Sequence, residues 1–75
     1  MLSDEIMEII ADVLDITPDE IDTETRLDYL IADELSLTDI ASALEDQYSI
    51  EIPESALDSF STVEDVISCV TESLN

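Results

Sequence analysis

Carboxylates are the chemistry this sequence has in quantity: 21 acidic residues stand against one basic side chain, Arg26, in 75 residues. There is no histidine, so histidine acid–base catalysis and histidine metal ligation are excluded. There is no glycine, which removes phosphate-cradling glycine loops and the calcium loop that needs glycine at its sharp turn. The single cysteine, Cys69, cannot form an internal disulfide, and its neighbours Val66, Ile67 and Val70 read as a small core or boundary environment. No convergent carboxylate set can be named, so no catalytic residue and no metal ligand is assigned. At Asp33 to Ser36, carboxylates and a hydroxyl gather where a helix should begin. Asp33 is placed to cap free backbone N–H groups, Glu34 falls in the favourable first turn, and Ser36 reads as a solvated helix serine.

The formal net charge of −20 sets the choice of partner. Nucleic acid and anionic membrane are excluded by like charge and the lack of a basic patch, leaving basic protein surfaces and divalent cations. The same charge keeps the chain soluble and opposes its own compaction. It is therefore expected to stay monomeric and to gain stability from salt or Mg²⁺. No apolar run reaches the roughly 20 residues of a membrane span. The acidic segment from Met1 to Glu8 resembles neither a secretory signal nor a transit peptide, so a cytoplasmic location is expected.

The elements follow from periodicity. One domain over 1–75 is expected, with a small aliphatic core. A first helix should start near Ser3 as cap and bury Ile6, Ile9, Ile10, Val13 and Leu14. Thr17-Pro18-Asp19-Glu20 combines a cap, a helix-starting proline and a capping-box glutamate, and predicts one short turn. Asp22 to Tyr29 reads as a long polar loop anchored by Leu27. A second helix opening at Asp33 should bury Leu37, Ile40, Ala41, Leu44 and Tyr48, and turn Asp39, Ser42, Glu45 and Asp46 outward. Pro53 should begin a short helix to about Leu57. Ser61-Thr62-Val63-Glu64 reads as the capping box of a last helix that buries Val63, Val66, Ile67, Val70 and Leu74. Nothing reads as a strand. The expected fold is all-α: three main helices and a short one in a four-helix bundle.

The run from Leu27 to Leu35, Leu-Asp-Tyr-Leu-Ile-Ala-Asp-Glu-Leu, resembles the acyl carrier protein segment Phe-x-x-Leu-Gly-x-Asp-Ser-Leu. Asp39-Ile40, Ala43-Leu44-Glu45, Glu51-Ile52-Pro53 and Ser61-Thr62-Val63 are similar to further landmarks of that family, as is Pro18-Asp19-Glu20-Ile21. The resemblance covers almost the whole chain. It implies a carrier, not an enzyme, whose serine bears 4′-phosphopantetheine and whose arm shuttles acyl thioesters between enzymes. It implies docking through Asp33, Leu35, Asp39 and Glu45 onto basic patches of acyl-transfer enzymes, condensing enzymes and phosphopantetheinyl transferase. It also makes Ile40, Leu44, Ile52, Leu57 and Val66 candidates to line an acyl cavity, although any helix bundle needs such a stripe for packing.

The sequence departs from the family pattern twice. Ile31 stands where the motif has glycine, and Glu34 stands where it has the attachment serine. A carboxylate is not the hydroxyl that the transferase uses, so loading at Glu34 is not expected. Ser36 does not substitute: counted from it, the downstream landmarks fall on Leu37, Ala41 and Ser42 and fail, and it lies roughly 200° around the helix from position 34. The leading reading is an acyl carrier protein of fatty-acid or polyketide type that does not load at Glu34. A non-loading interaction module for a synthase or transferase stays open beside it, as does a D-alanyl or aminoacyl carrier.

Overall fold

The computed structural model describes residues 1–31 and 34–75; Ala32, Asp33 and the side chain of Glu34 lie outside the described residues. Helix α1 spans Leu2–Leu14 and is followed by a 3-10 turn at Pro18–Glu20. Helix α2 is Leu27–Leu30, α3 is Glu34–Tyr48, α4 is Glu54–Ser59 and α5 is Val63–Leu74. Among the described residues there is no strand, only an isolated antiparallel bridge between Arg26 and Thr62. The architecture is all-α, with α1, α3 and α5 as the long members.

Their inner faces meet in one aliphatic cluster. Ile6, Ile10 and Ala11 come from α1, Ile40, Ala41 and Leu44 from α3, and Val63, Val66 and Val70 from α5. Ile21, Leu27 and Ile52 close the cluster from the connections. Each list follows the three-to-four-residue spacing that puts side chains on one side of a helix. Phe60, Leu57 and Cys69 are half-buried against it. Burial, with Glu72 nearby, pushes the Cys69 thiol above its ordinary range.

Two helix ends are built without glycine. Asp15 (φ 59°) and Ser49 (φ 55°) take the left-handed conformation that glycine adopts at least cost. Behind them the Ile16 N–H donates to the Ala11 carbonyl at 2.9 Å, and the Ile50 N–H to the Glu45 carbonyl at 3.2 Å. Both acceptors lie in the last turn of their helix, where carbonyls run short of intrahelical partners.

The structure corrects several expectations. Helix α1 begins one residue before Ser3, with Met1 at the cap position and its ammonium 3.7 Å from Asp4 Oδ2. The positive first turn is served by Asp4 and Glu5 without a side-chain cap. The long loop expected from Asp22 to Tyr29 contains α2. Buried Leu27 supplies the hydrophobic anchor that lets so short a helix form. The last capping box is Thr62 with Asp65, one residue beyond the expected pair. Asp65 Oδ2 accepts the N–H groups of Ser61 (2.8 Å) and Thr62 (3.1 Å), and Glu64 is left exposed. Helix α4 runs to Ser59 rather than ending near Leu57. Leu74, expected inside, is 45% exposed because α5 ends there, beyond the core.

Candidate functional site

Helix α2, which precedes α3, is anchored by chain that lies far away in sequence. Asp22 Oδ1 accepts the Glu24 N–H at 2.9 Å and the Thr25 hydroxyl at 3.1 Å, and this shapes a polar turn. The turn is tied to the beginning of α5: the Val63 N–H donates to the Thr25 carbonyl (3.0 Å), the Glu64 N–H to Thr23 (3.0 Å) and the Leu27 N–H to Ser61 (2.9 Å). Helix α2 rises from this base and closes with the Ile31 N–H on the Leu27 carbonyl at 2.7 Å. Ile31 has φ −113° and ψ 117°, an ordinary extended conformation. No glycine is required at that position, and the half-buried isoleucine packs on the core instead.

Helix α3 presents a narrow outward stripe. Leu35 is 75% exposed, and Asp39, Ser42 and Asp46 are exposed with it. Their spacing puts all four within an arc of roughly 60°. Tyr29 on α2, 82% exposed, stands a few residues before the stripe in the chain. Asp33 lies outside the described residues. Glu34 contributes the first helical residue of α3, but its side chain is outside the description. Ser36 is half-buried.

Glu45 is placed differently from the outward position expected of it. It is half-buried, and its Oε2 accepts the Ile52 N–H at 2.8 Å. The carboxylate is thus used to tie down the chain between α3 and α4. Asp46, one residue on, takes the outward place on the stripe that begins with Leu35 and Asp39. The 35/39/42/46 spacing carried that signal in the sequence, whereas Glu45 falls roughly 60° outside the same arc.

Ile40, Leu44, Ile52, Leu57 and Val66 are brought into one cluster. The first two and Val66 are fully buried, Ile52 nearly so, and Leu57 half-buried. Tyr48 lies at the end of the same face. Its hydroxyl is buried with no hydrogen-bond partner among the described residues. Burial, and then the charge of Glu5, raise its ionisation above the ordinary phenol range. Arg26 does not face the stripe: its Nε lies 3.1 Å from Asp28 Oδ1, and this hydrogen bond is the main cause holding Asp28 below the usual carboxylate range. Among the described residues no group of carboxylates or thiols is placed to hold a metal ion, and no helix is long and apolar enough to cross a membrane.

Residues 4–70 match the family model described as "Phosphopantetheine attachment site". The chain is 43% identical over 70 residues to an acyl carrier protein of Clostridium perfringens (strain SM101 / Type A), covering 92% of each. It is 33% identical over 67 residues to one of Sulfurovum sp. (strain NBC37-1), covering 88% of this chain and 89% of that one. It is 33% identical over 75 residues to one of Chlamydia muridarum (strain MoPn / Nigg), covering 99% and 97%. The match spans every helix of the bundle, so the chain belongs to the phosphopantetheine attachment-site family of acyl carrier proteins, which are carriers and not enzymes.

Proposed function

We propose that this chain is an acyl carrier protein of fatty-acid or polyketide type that docks through α3 onto basic patches of acyl-transfer and condensing enzymes, and that it does not load at Glu34. The observation that carries the docking reading is the stripe of Leu35, Asp39 and Asp46, exposed on the helix that the family landmarks mark. Exposed acids on a chain of net charge −20 steer encounter with a basic partner more than they hold the complex, which suits a protein passed between enzymes.

The second half rests on the chemistry of position 34. The family's group, 4′-phosphopantetheine, is joined through a hydroxyl, and Glu34 offers a carboxylate. Ser36 is half-buried and lies roughly 200° further around the helix. The residues at this helix start therefore do not fit the prosthetic group. A carboxylate there stabilises the helix by about 0.3–1 kcal/mol, so its presence is compatible with an intact scaffold. The same observation favours, as second reading, a non-loading module that acts by binding a transferase or synthase.

Intact mass separates the two after incubation with coenzyme A and a broad-specificity phosphopantetheinyl transferase. The carrier reading expects no gain for this chain and a gain of one arm for Glu34→Ser. No gain in either protein points to the binding module. A gain without substitution, mapped to Ser36, refutes the register used here.

A further inference from the structure

The acidic surface is not confined to α3. On α1, Glu5, Glu8 and Asp12 are all exposed, and their i, i+3, i+7 spacing holds them within an arc of roughly 60°. They border an open groove of about 490 Å³. Ile9 and Ile16, both half-buried, give the groove apolar lining, as does Pro18 of the 3-10 turn, and Gln47 at the end of α3 forms its far wall. The groove has no cation of its own. Arg26 lies against Asp28, the N-terminal ammonium lies against Asp4, and neither is among the lining residues.

We propose that this groove is a second docking surface, and that its occupant is a basic amphipathic segment of a partner protein which sets an aliphatic side chain against Ile9 and Ile16 while its lysines or arginines meet Glu5, Glu8 and Asp12. Charge selects that occupant. A second copy of this chain brings another 20 negative charges to the rim, and anionic lipid or nucleic acid is repelled in the same way. An apolar lining beneath an anionic rim fits a partner that alternates the two characters. The surface belongs to α1, the 3-10 turn and the far end of α3, and uses none of Leu35, Asp39 or Asp46. A partner held there would leave the start of α3 free for an enzyme.

The test titrates a fluorescent lysine/leucine amphipathic peptide into the full-length protein at two salt concentrations, and maps the contact by amide chemical shifts. The proposal expects shifts centred on Glu5, Glu8, Ile9, Asp12 and Ile16. The triple variant Glu5→Gln/Glu8→Gln/Asp12→Asn should weaken binding about tenfold. A control triple with the same charge change at exposed sites elsewhere, Glu24→Gln/Asp58→Asn/Glu72→Gln, should weaken it no more than about twofold. A lysine/serine peptide of equal charge should bind more weakly than the lysine/leucine peptide. Equal losses in the two triples, equal binding of the two peptides, or shifts centred on Leu35 to Asp46 would each overturn the proposal. Thermal melts of both triples confirm folding, since removing like charges relieves repulsion. A doubled mass by sedimentation without peptide would assign the groove to self-association and overturn it as well.

Discussion

Glu45 and Ile52 are joined by a 2.8 Å hydrogen bond from the Ile52 amide to Glu45 Oε2, and the backbone carbonyl of Glu45 accepts the Ile50 amide at 3.2 Å. One residue of α3 therefore fixes the path of the chain toward α4 through both side chain and main chain. Glu45→Ala should lower unfolding free energy by about 1–2 kcal/mol, since the part-buried Ile52 amide loses its acceptor. Glu45→Gln keeps an oxygen there and should cost less. Urea titrations of the two variants read the difference, and equal stability of Glu45→Ala and the parent would show that the bond carries nothing.

That bond also decides how docking is tested. Lysine at 45 would disturb folding and binding together, so the clean substitutions are Asp39→Lys and Asp46→Lys, both at exposed positions. Each should slow association with a basic phosphopantetheinyl transferase several-fold, flatten the salt dependence and leave the melting temperature nearly unchanged. Unaltered association rates in stopped-flow measurements would remove α3 as the docking helix.

Asp65 gives a pH dependence with a definite sign. The N–H groups of Ser61, then Thr62, hold its carboxyl below the ordinary value of 3.8. A depressed pKa in the folded state means stability that is present above the unfolded value and lost as pH falls through the folded one. Asp65→Ala should cost about 0.5–2 kcal/mol at neutral pH, the worth of a helix cap. The gap between parent and variant should close below about pH 4. Comparing the two proteins at each pH cancels the general relief of repulsion as the other carboxylates protonate.

Ser49 occupies a left-handed backbone position that glycine adopts at less cost. Ser49→Gly should raise stability by about 0.5–1 kcal/mol. Asp15→Gly should gain less, because aspartate tolerates this conformation better than serine. Chemical denaturation with both variants in parallel gives the order; a destabilised Ser49→Gly would contradict it.

Added salt should raise the melting temperature of the whole domain, with Mg²⁺ effective at lower concentration than Na⁺, because a chain of net charge −20 repels itself when compact. Calorimetry across ionic strengths checks this, and a constant melting temperature would show that the acids are already compensated.

Much of this was legible in the residues. The aliphatic periodicity of Ile6/Ile10, Ile40/Leu44 and Val63/Val66/Val70 marks the three long helices and their buried faces, because 3.6-residue spacing leaves few alternatives. Thr17 to Glu20 announces its own capping box, which forms as expected. The misreadings occurred where tertiary contacts outweigh local preference. Helix α2 is four residues long and depends on buried Leu27 and on its amide's hydrogen bond to the Ser61 carbonyl, which no local pattern displays. Both Glu64 and Asp65 can serve a capping box, and the frame is decided by which residue starts α5. Glu45 looks like a surface acid until the returning chain brings the Ile52 amide to it. The groove on α1 was hidden for a similar reason, since Pro18 and Gln47 become its walls only after α1 and α3 have packed.

The ties from Thr23, Thr25 and Leu27 to Glu64, Val63 and Ser61 make the footing of α2 a property of the chain's other half. Locally these amides resemble a scrap of β-ladder, yet each closes a loop of many residues, so they form late and open together. Helix α2 consequently has no autonomous foundation. Loosening the entry to α5 anywhere in the 61–64 segment would release the base on which α2 stands, although the two segments lie more than thirty residues apart in the chain.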